Sequence, residues 1–127
     1  MIINDPETLA ALSAAFGRYE QALVRNDLRM LDALFWNSER TVRYGVGENL
    51  YGFTAIREFR VHRPGGSPPR VLRNTVITTY GTDFGTANTE FVRENSTLIG
   101  RQSQSWVRMA EGWRVVAAHV SMMAGFS

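Results

Sequence analysis

Cysteine is absent from this chain of 127 residues, and so is lysine. The first absence removes disulfides, thiolate metal sites and a cysteine nucleophile. The second removes Schiff-base lysines, lysine general bases and the P-loop cation. All 14 basic residues are therefore arginines, whose planar forks suit carboxylates, although a GC-rich genome is sufficient cause for most of that bias. Catalytic signatures are missing too. There is no GxSxG elbow, no GxxxxGK[ST] loop and no HExxH, and Gly45-x-Gly47 is too little for a dinucleotide fingerprint. The two histidines, His62 and His119, have no carboxylate spaced to join them as ligands, so neither a metal nor a cofactor is expected. The net charge is only +2, and basic residues interleave with acids rather than forming an aromatic-lined stripe, which argues against nucleic acid. No apolar run approaches membrane-spanning length and MIINDPETLA has no basic n-region, so no membrane partner and a cytoplasmic location are expected.

What is present suits one globular domain over 1–127, with 44% hydrophobic residues and enough length for a core. Asp5-Pro6-Glu7 reads as a helix start: Asp5 can cap, Pro6 fits the first turn and Glu7 favours the positive end of the dipole. Leu9, Leu12, Phe16, Tyr19 and Leu23 then recur along one helical stripe. Asn26-Asp27 breaks the helix, and Leu28, Leu31 and Leu34 mark a shorter second one. A strand is expected around Arg40–Tyr44, a turn over 45–49 and a returning strand at Leu50–Phe53. Thr54 then reads as the cap of a third helix, with Ile56 and Phe59 inward, ending before Pro64.

After the loop Gly65-Gly66-Ser67-Pro68-Pro69 the pattern is all strand: Arg70–Tyr80, Phe84–Arg93, and a hairpin of Gln102–Met109 with Trp113–Ser121 around Gly112. Strict alternation puts Trp113, Val115, Ala117, His119 and Ser121 on one face of the last strand, and Val116, Ala118 and Val120 on the other. Neither face is polar throughout. One is expected to meet the helices and the other, with Trp106, a second copy in a homodimer. The expected fold class is α+β, three helices around a strongly curved antiparallel sheet that leaves a cone with a pocket at its mouth.

That order of elements resembles the nuclear transport factor 2-like (SnoaL-like) superfamily over nearly the whole chain. GRQSQSWVR at Gly100–Arg108, ITTYGTDFGTANTEF at Ile77–Phe91 and FWNSERTVRYGVGENLYG at Phe35–Gly52 are similar to the narrower AtzH/HpxZ-like family. That family is associated with amidases processing carboxylated ureas in cyanuric acid and oxalurate breakdown. The resemblance implies a pocket tyrosine on the first helix and a pocket arginine on the first strand, matching Tyr19 and Arg43. It also implies decarboxylating hydrolysis of a 1,3-dicarboxyurea-like compound to one like allophanate. A non-catalytic accessory partner of an amidase-signature enzyme is the alternative, and it requires the same arginine pocket.

By residue type alone these positions stay open. Tyr19 suits a core aromatic whose hydroxyl reaches an edge as well as it suits a site. Arg43, with Thr41 and Gly45 on its strand face, either pairs internally with Glu48, Glu58 or Glu90 or faces a solvated pocket. As substrate-binding candidates, Phe16 and Trp36 would dry the pocket, Arg73 would be a second anion clamp, and His119 would stand near its open end, where a structural histidine is equally at home. Arg63 and Arg70 read as rim charges. Glu90 is the one tempting general base for an isomerase- or cyclase-like alternative.

Overall fold

The computed structural model describes residues 1–125. Helix α1 (Pro6–Arg25) begins where Asp5 accepts hydrogen bonds from the Thr8 backbone N–H (3.1 Å) and hydroxyl (2.8 Å). It ends at Asn26, whose left-handed φ of 54° lets its N–H reach back to Ala22 and Leu23. Leu12, Phe16, Tyr19 and Leu23 are buried on its inner stripe. Helix α2 (Leu28–Leu34) is capped by Asp27 and buries Leu31 and Leu34. Strands β1 (Val42–Tyr44) and β2 (Asn49–Tyr51) form a short hairpin before helix α3 (Phe53–His62). Helix α3 starts earlier than the sequence suggests. Gly52, at φ 90°, occupies the cap position and Thr54 is exposed, because glycine alone enters that turn freely.

Strands β3 (Val71–Tyr80), β4 (Phe84–Val92), β5 (Leu98–Met109) and β6 (Gly112–Ala124) complete a six-stranded sheet in the order β2-β1-β6-β5-β4-β3. Every pair is antiparallel except β1 with β6, so the sheet is mixed rather than wholly antiparallel. Pairing sets one inner row across all six strands: Leu50, Arg43, Ala118, Gln104, Ala87 and Ile77. Its two alanines are its smallest side chains, and they flank Gln104.

The alternation expected for the last strand does not survive a bulge. Ser105 faces Ala117 while Trp106 faces Val115, so Val116 is an extra residue. Trp113 and Val115 are buried before it, Ala118 is buried after it, and His119 is thrown to the outer face. Trp106 is wholly buried on the inner face, its indole N–H donating to Gln104 Oε1 at 3.1 Å. It belongs to the core of one chain and does not meet a second copy. Two glycines permit this packing. A Cβ at Gly85 would strike Leu12, and one at Gly100 would strike the Phe91 ring.

Candidate functional site

Helix α1 crosses the inner face with Leu12 against Gly85 and Glu20 hydrogen-bonded to Gln102. Those contacts lie eight helical residues apart, about 12 Å along the axis. Tyr19, between them in sequence, is on the buried stripe of α1 and packs against Phe35. It is 3% exposed, with its ring centroid 6.1 Å from that of Phe35. Among the described residues its hydroxyl has no hydrogen-bond partner, in contrast to the Tyr44–Tyr51 hydroxyl pair at 3.2 Å on the outer face.

Arg43 projects from the inner row of the sheet. Its side chain is 11% exposed, its Nη1 donates to Glu48 Oε1 at 3.0 Å, and its guanidinium lies 5.6 Å from the Phe59 ring centroid. Glu48 is fixed in turn by the Gly47 N–H, so the short β1–β2 turn holds the carboxylate that neutralises Arg43. The internal ion pair left open by the sequence therefore exists, and it commits one of the guanidinium's donors.

Arg60 closes the cluster from α3. It is 4% exposed, lies 4.2 Å over the Phe35 ring and reaches only Asp32 Oδ1, at a long 3.5 Å. Burial pushes its pKa down to about 10; Tyr19 opposes that shift and Arg43 adds to it. Arg63, one turn on, is likewise depressed, first by burial and then by Arg43, and its Nε is buried without a partner. Tyr19, Arg43, Arg60 and Arg63 thus share one electrostatic neighbourhood, floored by Ala118 and walled by Phe35 and Phe59. Such an arrangement can bind a small anion and present a phenolic hydroxyl to it.

The other candidates are distributed differently. Phe16 is buried in the same core cluster as Tyr19 and Phe35. Trp36 lines a cleft of about 350 Å³ with Asp32, Phe35, Asn37, Phe53 and Arg114, and of the two aromatics it is Phe35 that also packs against Tyr19. Arg73 has an exposed side chain paired with Glu90 at 3.2 Å, and the buried arginine of that stretch is Arg70. Arg70 and Leu72 point inward and Arg73 outward by simple alternation, before the bulge at Asn74 (φ 53°) resets the strand. Arg70 forks onto Glu20, donates to Gln102 at 2.9 Å and stacks on Phe91, so it is no rim charge. His119 is exposed on the outer face against Tyr44, on the opposite side of the sheet from Tyr19. Glu90 is held low, first by the Asn74 hydrogen bond, which is the wrong direction for a general base. Among the described residues no group of three or more His, Asp or Glu is placed to hold a metal ion, and no helix is long and apolar enough to cross a membrane.

Sequence reasoning missed Arg60 and Phe35. Arg60 falls at i+7 from Phe53 and i+4 from Ile56, on the buried stripe of α3. A charged residue on an apolar stripe was the available signal.

Helices wrapped on a curved six-stranded sheet define a nuclear transport factor 2-like fold. Two solved structures described by that name share it: a protein of unknown function from Pseudomonas putida (17% identity, TM-score 0.74, 91% of this chain and 86% of that one) and a superfamily member from Salmonella enterica (23%, 0.71, 95% and 93%). Within that fold the chain belongs to the AtzH-like family, whose model matches residues 1–125. A protein of unknown function from Pectobacterium atrosepticum is 61% identical, with a TM-score of 0.94 over 96% of this chain and 95% of that one. A cystatin-like fold protein from Burkholderia xenovorans is 48% identical, with a TM-score of 0.94 over 98% of each chain. Proteins of curated function yield no match. Family and fold together support a small-molecule-binding or accessory protein.

Proposed function

We propose that this protein binds a small carboxylated urea or amide beneath α1 and removes an N-carboxylate from it, converting a 1,3-dicarboxyurea-like compound to an allophanate-like one. The observation that carries this reading is a buried Tyr19, whose hydroxyl makes no hydrogen bond among the described residues, acting together with Arg43 on the same two arginines, Arg60 and Arg63. In the step, the bond between nitrogen and the departing carboxyl carbon breaks. Its electron pair stays on nitrogen, which takes a proton from solvent, and the carboxylate leaves as carbon dioxide. Negative charge develops on the ureide and its carbonyl oxygen, where Tyr19 can donate a hydrogen bond in a site dried by Phe16 and Phe35. A cation on the departing carboxylate would stabilise the ground state and slow its loss. Arg43 must therefore hold the carboxylate that stays, through the donors that Glu48 leaves free.

The chain is further proposed to act in bacterial nitrogen-compound catabolism, as a homodimer packed through the outer sheet face around Val42, Tyr44, Ala117 and His119. One observation favours the accessory alternative, a non-catalytic partner of an amidase. The carboxylates around the inner arginines, Glu20, Asp32 and Glu48, are each paired with one of them, leaving none of the three free as a base. The deciding experiment measures carbon dioxide release from a dicarboxyurea-type substrate above the spontaneous rate. A rate that Tyr19→Phe abolishes supports the enzyme, and no rate above background leaves the accessory role.

A further inference from the structure

Arg60 is the most enclosed cation of the cluster, and its one ion pair is a long one. Glu20 meets Arg70 with a two-pronged contact and Glu48 meets Arg43 at 3.0 Å, but Asp32, itself 31% exposed, reaches Arg60 only at 3.5 Å. A guanidinium carries five N–H donors, and one long contact to a carboxylate satisfies few of them. Its position is nevertheless fixed. The aromatic face of Phe35 lies 4.2 Å beneath it, and Phe35 is also the ring against Tyr19. A structural ion pair would place the carboxylate deep and close. Here the cation is deep, the carboxylate is peripheral, and the free donors share a neighbourhood with Tyr19 and Arg43.

We propose that Arg60 is a specificity-determining residue of this site, supplying the unspent guanidinium fork that takes the ligand's retained carboxylate alongside Arg43 while Tyr19 addresses the adjoining carbonyl. The inference rests on the functional reading above and adds a residue to it. It assigns Arg60 to ligands whose carboxylate and amide carbonyl lie next to one another, and it distinguishes those ligands from neutral diamides. The lowered pKa of Arg60 agrees with a cation held in a poorly compensated place, as ligand-binding cations commonly are.

The test uses calorimetric titration of the intact protein with oxamate and with its neutral analogue oxamide. Wild type is expected to prefer oxamate by at least about tenfold. Arg60→Met should weaken oxamate by about 30-fold or more and leave oxamide nearly unchanged. Arg60→Lys keeps a cation that can titrate. It should bind oxamate at neutral pH and lose up to about tenfold per unit above the depressed pKa of a buried lysine, while wild type stays flat to about pH 9. Tyr19 from α1, Asp32 from α2, Arg43 from β1 and Arg63 beyond α3 act on position 60 in both proteins. A titration confined to the lysine variant therefore belongs to position 60. Asp32→Asn separates the roles further, because it removes the ion pair and should leave oxamate binding within about twofold. A folded Arg60→Met that binds oxamate like wild type would overturn the assignment and leave the pocket reading standing. So would a lysine variant with a flat profile, which remains informative if the methionine variant fails to fold. Wild type that does not distinguish oxamate from oxamide would overturn both.

Discussion

Replacing Arg60 with methionine should make the protein slightly more stable, although it removes a charge, an ion pair and a ring contact. Burial lowers the Arg60 pKa to about 10, well below the ordinary arginine range, a difference that costs about 3 kcal/mol. That figure already includes the long Asp32 contact, and against it stands a desolvated cation–π contact with Phe35, worth about 1–2 kcal/mol. Methionine keeps the length and the apolar stem, and replacing a poorly compensated buried charge with a hydrophobic isostere is often neutral or stabilising. The net expectation is a gain of about 1–2 kcal/mol, or a rise in Tm of about 3–10 °C for a chain of this size. The sign with pH follows from the direction of the shift. Below about pH 10 folded and unfolded states both hold the proton, so the cost of burying the charge is present in full. It diminishes above about pH 10, where only the unfolded chain stays protonated, and the advantage of the variant shrinks there. Urea unfolding at pH 7, with midpoint and slope both fitted, measures the difference. A loss of more than about 2 kcal/mol at unchanged slope would refute the reasoning, because it would mean that Arg60 earns its place through Asp32 and Phe35.

Tyr19→Phe should lower carbon dioxide release from a dicarboxyurea-type substrate by roughly 10²–10³ with little change in affinity, read from kcat and KM separately. Arg43→Met should weaken small dicarboxylates by about 2–5 kcal/mol in calorimetry; unchanged affinity would reduce Arg43 to its ion pair with Glu48. Asp5→Ala should melt below wild type at neutral pH. The Asp5 pKa is lowered, first by the Thr8 hydroxyl, so the gap should persist above pH 3.8 and close as pH falls through the lower folded value. Gly100→Ala should cost about 1–3 kcal/mol in chemical unfolding, because the Phe91 ring occupies the space of a methyl group there. Sedimentation should give twice 14.3 kDa at micromolar concentration if the outer sheet face pairs two copies.

Local chemistry made much of the fold readable. The Asp5-Pro6 start, the Asn26 stop and the stripe from Leu12 to Leu23 are each fixed by contacts within one helix, and they stand as expected. Register is not a local property. One extra residue at Val116 reverses the faces of β6, which carried His119 outward and made simple alternation fail beyond Val115. The same lesson separates Arg70 from Arg73: in sequence Arg73 is the better candidate clamp and Arg70 a rim charge, and only the pairing of β3 with β4 shows that Arg70 is the one that turns toward Glu20. Trp36 was chosen for its size, but the inward position belongs to Phe35, one residue before it. Arg60 was the costliest omission. Its place on the stripe of Phe53 and Ile56 was visible, and a charge there should have been read as a question rather than as a solvated face.

The central claim is that a small carboxylate-amide sits beneath α1 between Tyr19 and the arginines of β1 and α3. The most direct measurement is a crystal structure of the protein grown with oxamate. The account predicts the ligand on the Ala118 row, with its carbonyl oxygen within hydrogen-bond distance of the Tyr19 hydroxyl and its carboxylate on Arg43 and Arg60. Oxamate found instead only in the Trp36 cleft, or only against Tyr44 and His119 on the outer face, would contradict it.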